Sequence, residues 1–301
     1  MDESGNVMIL ERPKLRQPYM VCGLSGWVDG GESASGSARY LIKKLKAQKF
    51  AEIPIAPYHI FQMPGELSQR PKIKIENGLL KEHRFPQNQF YYAVNPDADN
   101  DLILYLGMEP NLKWEEHAEA ILSVANEFSV TRIYLLGGVL DKTPHTREPG
   151  VSCACSSVEL REEMLKYGTL YSNYEGPGSF GTTLLQSCRQ KQMPMVILIT
   201  RATYYPEFNI IIPHNPKAIR AVVKRLNSLL RLSLDISDLS REAEEFEAKL
   251  SFMASHNPEF QAYVTELEKD FTEVQYKEPL DISASEAVRL AEEFLRKKDK
   301  D

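Results

Sequence analysis

Residues 18–44, PYMVCGLSGWVDGGESASGSARYLIKK, carry the pattern that decides the fold. The stretch opens with an apolar run that is typical of a buried strand and continues through closely spaced glycines. It ends in a segment in which Ala34, Ala38 and Leu41 fall on one helical face. A strand, a glycine turn and an amphipathic helix in this order form the repeating unit of an α/β protein.

The same alternation of apolar runs and helical patterns continues to about residue 232. Further strands are predicted at 53–61, 101–108, 131–140 and 193–203. Asn77-Gly78, between alternating apolar residues, predicts a two-residue hairpin turn, because both residues tolerate positive φ. The chain is therefore predicted to form a three-layer α/β/α fold with a mainly parallel sheet.

The end of the α/β region is marked by a predicted helix from Pro216, since Asn215 is a favourable N-cap and proline is common at the first helical position. After residue 234 the composition shifts to Glu, Ala and Lys, with apolar residues at helical spacing. We expect an α/β/α domain at 1–234 and a helical extension at 235–301, which docks on the domain or on another subunit.

Two signals divide the predicted extension into helices. Asn257-Pro258 marks a restart between the first two helices. Ser283 followed by Glu286 forms a capping box, which predicts a last helix.

Composition and charge narrow the class of protein. With 301 residues, of which 43% are hydrophobic, the chain can bury a full core. It lacks an apolar run long enough for a membrane span, and its first residues, MDESG, do not resemble a secretory signal. We therefore expect a cytoplasmic protein that is not bound to a membrane and whose four cysteines are reduced. A net charge of -6 argues against binding of nucleic acid.

The charges are distributed unevenly near the C-terminus. Residues 189–231 contain eight basic residues and one acid, whereas 238–278 contain eleven acids and four basic residues. Two solvated helical faces are the simplest interpretation, and pairing within the chain or with a partner are the alternatives.

Three glycine clusters are predicted at strand ends, where ligands bind in open α/β sheets and where helix N-termini favour anions. His145 and Arg147 follow one of them and could move protons or hold an anion. A small anionic or nucleoside-like ligand is one hypothesis for this edge. Its candidate ligand-binding residues are Gly26, Asp29, Gly30, Gly137, Gly138, His145, Arg147, Gly176 and Gly178.

Gly176, Gly178 and Gly181 have the G-x-G-x-x-G spacing of dinucleotide-binding turns. Such a site also needs an acidic residue about twenty positions on, and none lies between Glu175 and Glu207. We therefore predict a structural turn, or a modest anion-binding helix start, without a cofactor, and expect Gly181 to let the next helix pack closely.

Other chemical constellations are weak. Cys153 and Cys155 are spaced poorly for tetrahedral zinc and have no second pair, so no metal site is predicted. No residues in the sequence combine a nucleophile, a base and an orienting group, and the sequence favours a protein that is not an enzyme.

Six segments together resemble the proteasome assembly chaperone family, in particular its bacterial branch, which is similar to the second chaperone subunit. The most specific motifs are Gly-Trp-x-Asp-x-Gly at 26–31, Gly-x-Glu-Pro at 107–110 and Pro-His-Thr-Arg at 144–147. The resemblance extends over nearly the whole chain. It implies a fold like that of purine nucleoside phosphorylases, self-association, and partners that include proteasome subunits.

The resemblance implies no catalytic residues. Archaeal relatives engage the proteasome through a C-terminal hydrophobic-Tyr-x tail, whereas this sequence ends Asp299-Lys300-Asp301, so we do not expect docking of that kind. Two hypotheses follow. The first is a non-enzymatic assembly factor that forms homo-oligomers and binds proteasome-type or other subunits. The second is an enzyme or sensor that binds a small ligand at the glycine-lined edge.

Overall fold

The computed structural model describes residues 7–62, 70–210 and 212–271. Its strands are β1 (Met8–Ile9), β2 (Tyr19–Ser25), β3 (Gln48–Ile53), β4 (Lys72–Glu76), β5 (Leu79–Arg84), β6 (Asn88–Ala93), β7 (Leu102–Met108), β8 (Arg132–Asp141), β9 (Val151–Cys155), β10 (Leu170–Tyr171) and β11 (Met195–Thr203). Its helices are α1 (Ser33–Lys44), α2 (Trp114–Glu127), α3 (Val158–Leu165), α4 (Phe180–Gln190), α5 (Pro216–Leu229), α6 (Ser237–Ser255) and α7 (Pro258–Asp270).

In the described part of the chain, nine strands form one sheet in the order β1-β3-β6-β7-β2-β8-β11-β9-β10. The central strands β7, β2, β8 and β11 are parallel. Strands β1, β3 and β6 extend this centre by antiparallel pairing on one side, and β9 pairs antiparallel with β11 on the other. The prediction of a mainly parallel sheet thus holds for the centre, and the whole sheet is mixed.

The strand predicted at 53–61 is wrong. Strand β3 ends at Ile53, and the following residues form turns. Pro54 and Pro57 lack the N–H that a central strand needs, which explains why pairing stops here. Within this segment, Tyr58 and His59 are buried outside the sheet.

Helices cover both faces of the sheet and produce three layers. On β2, Met20 and Cys22 belong to the core that α2 and α4 complete. Val21 belongs to the opposite core, which α1, α3 and α5 complete. Alternate side chains of a strand point to opposite faces, so one strand supplies both cores.

Helices α6 and α7 continue from α5. Asn215 and Asn257 cap α5 and α7 through their side-chain oxygens, as the sequence predicts. The helix predicted from Ser283 lies outside the described residues, and the domain division at residue 234 stays a prediction. Within the ranges given above, no helix is long and apolar enough to cross a membrane.

Strand β2 and helix α1 approach each other closely at Gly23. A Cβ atom at this position would lie 2.4 Å from the carbonyl oxygen of Ala34 and 2.5 Å from the Cβ of Ala38. Both neighbours are on α1, and a backbone oxygen cannot turn aside as a flexible side chain can. Glycine at this position therefore sets the distance between helix and sheet.

Gly23→Ala is expected to lower the free energy of unfolding by about 1–3 kcal/mol, because the new methyl group overpacks the interface of β2 and α1. Gly150→Ala is the matched control, since a Cβ there would meet nothing within 4 Å. Urea unfolding of both variants measures the difference. Equal stability of the two variants would contradict the close approach at Gly23.

Candidate functional site at the carboxyl edge of the sheet

The crevice expected to bind a ligand lies at the carboxyl ends of β7, β2 and β8. Strand β2 lies between β7 and β8, so the order of connection reverses there. In open α/β sheets, ligands bind at this point of reversal. The side chains at the ends of these three strands therefore determine whether a ligand can bind there.

The side chain of Glu109, which follows β7, occupies this position. Its Oε2 accepts a hydrogen bond from the backbone N–H of Trp27 at 2.8 Å, and its Oε1 accepts one from the N–H of Phe180 at 3.0 Å. The N–H of Glu109 itself donates to the carbonyl of Ser25. One carboxylate thus joins the turn after β2 to the first residue of α4.

Glu109 stands where an anionic ligand would bind at a helix N-terminus. Phe180 opens α4, and its N–H, which has no acceptor within the helix, is the kind of donor that holds phosphate at such ends. Gly26 leaves room for the carboxylate, since a Cβ there would lie 2.6 Å from the Cβ of Glu109. The modest anion-binding helix start is therefore satisfied by the protein's own side chain.

A second carboxylate, that of Asp29, caps α1 in the same way. It accepts hydrogen bonds from the N–H groups of Ala34 and Ser35 at 2.8 and 3.0 Å, and from the Ser35 hydroxyl at 2.6 Å. Burial raises the pKa of Asp29 to about 6, although these hydrogen bonds act in the opposite direction. The carboxylate of Asp29 therefore acts as an N-terminal cap of α1.

Gly30 and Gly138 bring the turn after β2 against β8. Asp29 and Gly138 form a parallel bridge, and a Cβ on Gly30 would lie 3.0 Å from the backbone nitrogen of Leu140. Gly137 and Gly138 lie inside β8, near its end at Asp141, which agrees with the strand predicted at 131–140. Pairing with β11 keeps the residues that follow the glycines in the strand.

Gly176 and Gly178 lie exposed in the loop before α4, after the two-residue edge strand β10. A Cβ on Gly181, inside α4, would lie 2.6 Å from a methyl group of Leu135 in β8. The G-x-G-x-x-G spacing therefore marks a close helix-to-sheet contact at its last glycine, as the sequence predicts.

His145 and Arg147 lie away from Glu109, in the loop between β8 and β9. His145 is buried; its Nδ1 is 2.9 Å from the Tyr205 hydroxyl, and its Nε2 is 3.1 Å from the hydroxyl of Ser251 in α6. Its ring also stacks on Phe260 of α7. The side chain of Arg147 is exposed.

The Pro-His-Thr-Arg motif and the residues beside it therefore attach the C-terminal helices to the rest of the fold. Beside His145, Thr146 donates a hydrogen bond to Glu268 of α7. Glu148, just past the motif, pairs with Arg220 of α5 at 2.6 Å. Buried Lys217 of α5 pairs with Glu247 of α6 at 2.5 Å and also donates to the carbonyl of His145. The contacts suit a structural joint, and ligand binding by His145 and Arg147 stays a prediction.

The sequence does not reveal a cluster of buried polar rings beneath β7. The Nε2 of His117 is 2.9 Å from the Tyr105 hydroxyl, and the Nε2 of His59 is 3.2 Å from the side-chain nitrogen of Asn88. Burial lowers the pKa of His59 to about 4 and that of His117 to about 3. Both imidazoles are therefore neutral. About sixty residues separate the two histidines in the sequence, so no short motif marks the cluster.

Exposed apolar side chains surround the same edge. Trp27 is 62% exposed, and its N–H is bonded by Glu109; Tyr174 is 67% exposed and lies in the loop that leads to α4. Val139 and Leu140 at the end of β8 are also exposed. Large exposed aromatic side chains are characteristic of protein-binding surfaces.

Two cavities have linings that do not include Glu109, Trp27 or Phe180. One, of about 190 Å³, includes Arg39, Tyr40 and His214, and another, of about 370 Å³, includes Arg12 and Phe128. Among the described residues, no group of three His, Cys, Asp or Glu side chains could hold a metal ion.

The geometry defines an α/β/α protein whose ligand position is occupied by its own carboxylate and framed by exposed aromatic residues. The family model described as "PAC2 family" matches residues 23–254, and the chain belongs to this family. The match runs past the predicted boundary at residue 234 into α6. The earlier resemblance to proteasome assembly chaperones is confirmed by this match and by the solved structures.

Several solved structures are similar over most of the chain. A PAC2 family protein from Streptomyces avermitilis is 28% identical, covers 82% of this chain and 99% of its own, and has a TM-score of 0.71. A proteasome-assembly chaperone homologue from Mycobacterium tuberculosis is 27% identical, with the same coverage of 82% and 99% and a TM-score of 0.71. PbaB of Pyrococcus furiosus, an archaeal proteasome activator, is 25% identical and covers 82% of this chain and 97% of its own, with a TM-score of 0.62. No curated protein matches significantly.

Glu109→Ala is expected to reduce the free energy of unfolding by about 1–3 kcal/mol, because it leaves the N–H groups of Trp27 and Phe180 without their acceptor. Hydrogen exchange of these two amides should accelerate more than that of amides in β11. Glu116→Ala, an exposed acid on α2, is the control. Unchanged exchange at both amides would show that the bridge contributes nothing to this edge.

The buried histidines predict a loss of stability in acid. Burial also lowers the pKa of His145 to about 4. As pH falls from about 6.5 to 4, the unfolded chain binds protons at His59, His117 and His145 that the folded chain does not, so stability falls. Asp29 acts oppositely, since its raised pKa makes the folded carboxyl bind a proton first between about pH 6 and 4.

His145→Gln should therefore flatten the pH dependence by up to about 1.4 kcal/mol per pH unit between pH 6 and 4.5. Urea unfolding at several pH values measures this slope. Exposed His256→Gln is the control with which the slope is compared. The same slope in both variants would mean that His145 is not held neutral.

Proposed function

We propose that this protein is a non-enzymatic assembly factor that binds other proteins, among them proteasome-type subunits. The observation that carries the proposal is the 27% identity, over 82% of the chain, to a proteasome-assembly chaperone homologue. The similarity to an archaeal proteasome activator supports the same class of partner.

The edge of the sheet favours a protein partner over a small ligand. Glu109 and Asp29 already bind the helix N-termini that would otherwise attract an anion. The exposed side chains of Trp27 and Tyr174 provide rigid apolar contact area, which is what interface hot spots use. We infer that this edge is the surface that contacts the partner.

The proposal also includes the location, the oligomeric state, the domain division and the fold type. The protein acts in the cytoplasm as a homo-oligomer, with 1–234 as its body and 235–301 as a helical extension. Its fold is like that of purine nucleoside phosphorylases, which is the basis of the ligand hypothesis for the glycine-lined edge. Binding of a small ligand there stays the alternative.

Purified α-type and β-type proteasome subunits from the source organism provide the test. The protein should bind them at stoichiometric levels and accelerate their assembly, which native gels and mass spectrometry follow. Trp27→Ala should weaken binding at least tenfold, because truncation of a hot-spot aromatic typically costs 2 kcal/mol or more. Leu165→Ala, an exposed apolar residue on α3, is the control.

Failure to retain any such subunit would reject the proposed function, and equal binding by both variants would reject this edge as the contact surface. A parallel thermal-stability screen with phosphate, nucleosides and nucleotides tests the alternative. A ligand at a hundred times its dissociation constant adds about 2.7 kcal/mol to stability. A shift with one of these compounds would favour the small-ligand function.

A further inference from the structure

Two cysteines of strand β9 lie side by side on one face of the sheet. Cys153 and Cys155 are two positions apart, and alternate residues of a strand point to the same face. Both contact the core that α1, α3 and α5 complete, Cys153 as a buried member and Cys155 as a half-buried neighbour. The thiol of Cys155 donates a hydrogen bond to the sulfur of Cys153. The spacing that is poor for tetrahedral zinc therefore brings two thiols into direct contact.

The surroundings of the pair stabilise one negative charge on it. The hydrogen bond from Cys155 lowers the pKa of Cys153, although burial acts in the opposite direction. The hydroxyl of Thr169 also donates to the Cys153 sulfur, at 3.4 Å, and lowers the same pKa. The pKa of Cys155 is raised instead, because its proton is held by the Cys153 sulfur. The pair therefore loses its first proton readily and its second with difficulty, and the two sulfurs titrate as one unit.

Two arginines lie close enough to act on the pair through their charge. Arg161 of α3 lowers the pKa of Cys153, and Arg132 at the start of β8 favours the ionised form of Cys155. Glu163, which pairs with Arg132 at 2.7 Å, opposes this effect at Cys155. A partly exposed sulfur near guanidinium groups is the environment in which cysteines react as thiolates.

The other two cysteines of the chain have a different environment. Cys22 and Cys188 are buried in the core on the opposite face of the sheet. Burial raises the pKa of both thiols, so they stay protonated. Buried thiols of this kind are inert, and all four cysteines are free in the structure. Thiol reactivity is therefore expected on β9 alone.

A bond between the two sulfurs requires the end of β9 to contract. Cα atoms two positions apart in a strand are about 6.6 Å apart, at the upper end of the range that a disulfide spans, and the Cβ atoms must approach each other. Cys155 is the last residue of β9 and lies opposite Val196, close to the beginning of β11. The movement therefore affects the end of the ladder and not its middle. A disulfide that needs such a movement is reduced readily.

We propose that Cys153 and Cys155 form a thiol pair that hydrogen peroxide oxidises reversibly to a disulfide. The half-buried sulfur of Cys155 attacks peroxide as the thiolate, so that an S–O bond forms, the O–O bond breaks and hydroxide leaves to become water. Cys153 then attacks the resulting sulfenic acid. The S–S bond forms as the S–O bond breaks, and the Cys153 proton leaves with the hydroxyl group as water. The two thiols lose two electrons and two protons, and peroxide is reduced to two molecules of water.

The oxidised pair lies at the amino edge of the sheet. It is therefore separate from the partner surface proposed at the carboxyl edge, and the proposal does not depend on the identity of an assembly partner. Contraction at Cys155 should loosen its pairing with Val196. Hydrogen exchange of the Val196 amide should accelerate on oxidation and return to its initial rate on reduction.

Peptide mapping of the purified full chain tests the proposal without any substitution. The native protein is treated with hydrogen peroxide and then denatured, the remaining thiols are alkylated, and mass spectrometry locates the alkyl groups. We expect a disulfide between Cys153 and Cys155, alkylated Cys22 and Cys188, and four alkylated cysteines when dithiothreitol precedes alkylation. Unmodified Cys153 and Cys155, equally fast oxidation of Cys22 or Cys188, or sulfinic acid in place of the disulfide would overturn the proposal.

Substitutions separate activation of the pair from simple proximity. Thr169→Val should slow oxidation about threefold, because the hydrogen bond to the ionised sulfur is lost. Thr265→Val, an exposed threonine on α7, is the control. Cys153→Ser should stop the reaction at the sulfenic acid of Cys155, which dimedone labels. Circular dichroism checks that each variant folds. Equal rates in the two threonine variants, or a Cys153→Ser protein that dimedone does not label, would contradict the assigned roles.

Discussion

The carboxylate of Glu109 joins two turns at the carboxyl edge of the sheet. The turns that follow parallel strands lie at one edge of the sheet. Each turn contains backbone N–H groups that need hydrogen-bond acceptors. By accepting from Trp27 and Phe180, Glu109 satisfies donors from two separate turns at once. The two turns are thereby held relative to each other, and Trp27 is exposed on one of them.

The fold thus uses a ligand-binding architecture without leaving its binding position open. In related topologies, glycines at strand ends let a phosphate approach the backbone. Here Gly26 admits an internal carboxylate and Gly30 admits a neighbouring strand. Glycines at strand ends therefore support packing as well as ligand binding. Glycine spacing alone does not distinguish a binding loop from a packing contact.

Local patterns predicted much of the fold, whereas contacts between distant residues could not be foreseen. The central strands, the hairpin at Asn77-Gly78 and the caps at Asn215 and Asn257 follow from periodicity and turn chemistry. Strands β6 and β9 are short and contain polar or small residues, and their pairing with β7 and β11 decides their conformation.

The candidate site shows the same division. Asp29 was foreseen as a polar residue of the edge, because it follows a buried strand by a few positions. Glu109 also follows a buried strand, within the motif at 107–110, but its acceptor role depends on residues more than seventy positions away. His145 was placed at the edge because its loop follows β8, and only the packing of α6 and α7 shows that it faces them.

Two small apolar clusters attach the C-terminal helices to the rest of the fold, since each also contains residues that precede α6. Tyr205, Leu250 and Phe260 centre one small cluster and Ile219 and Leu239 another, both distinct from the two large cores. Polar contacts through His145 and Lys217 complete the attachment. Because these clusters are small compared with the two large cores, we expect α6 and α7 to open locally at a lower free energy than the sheet.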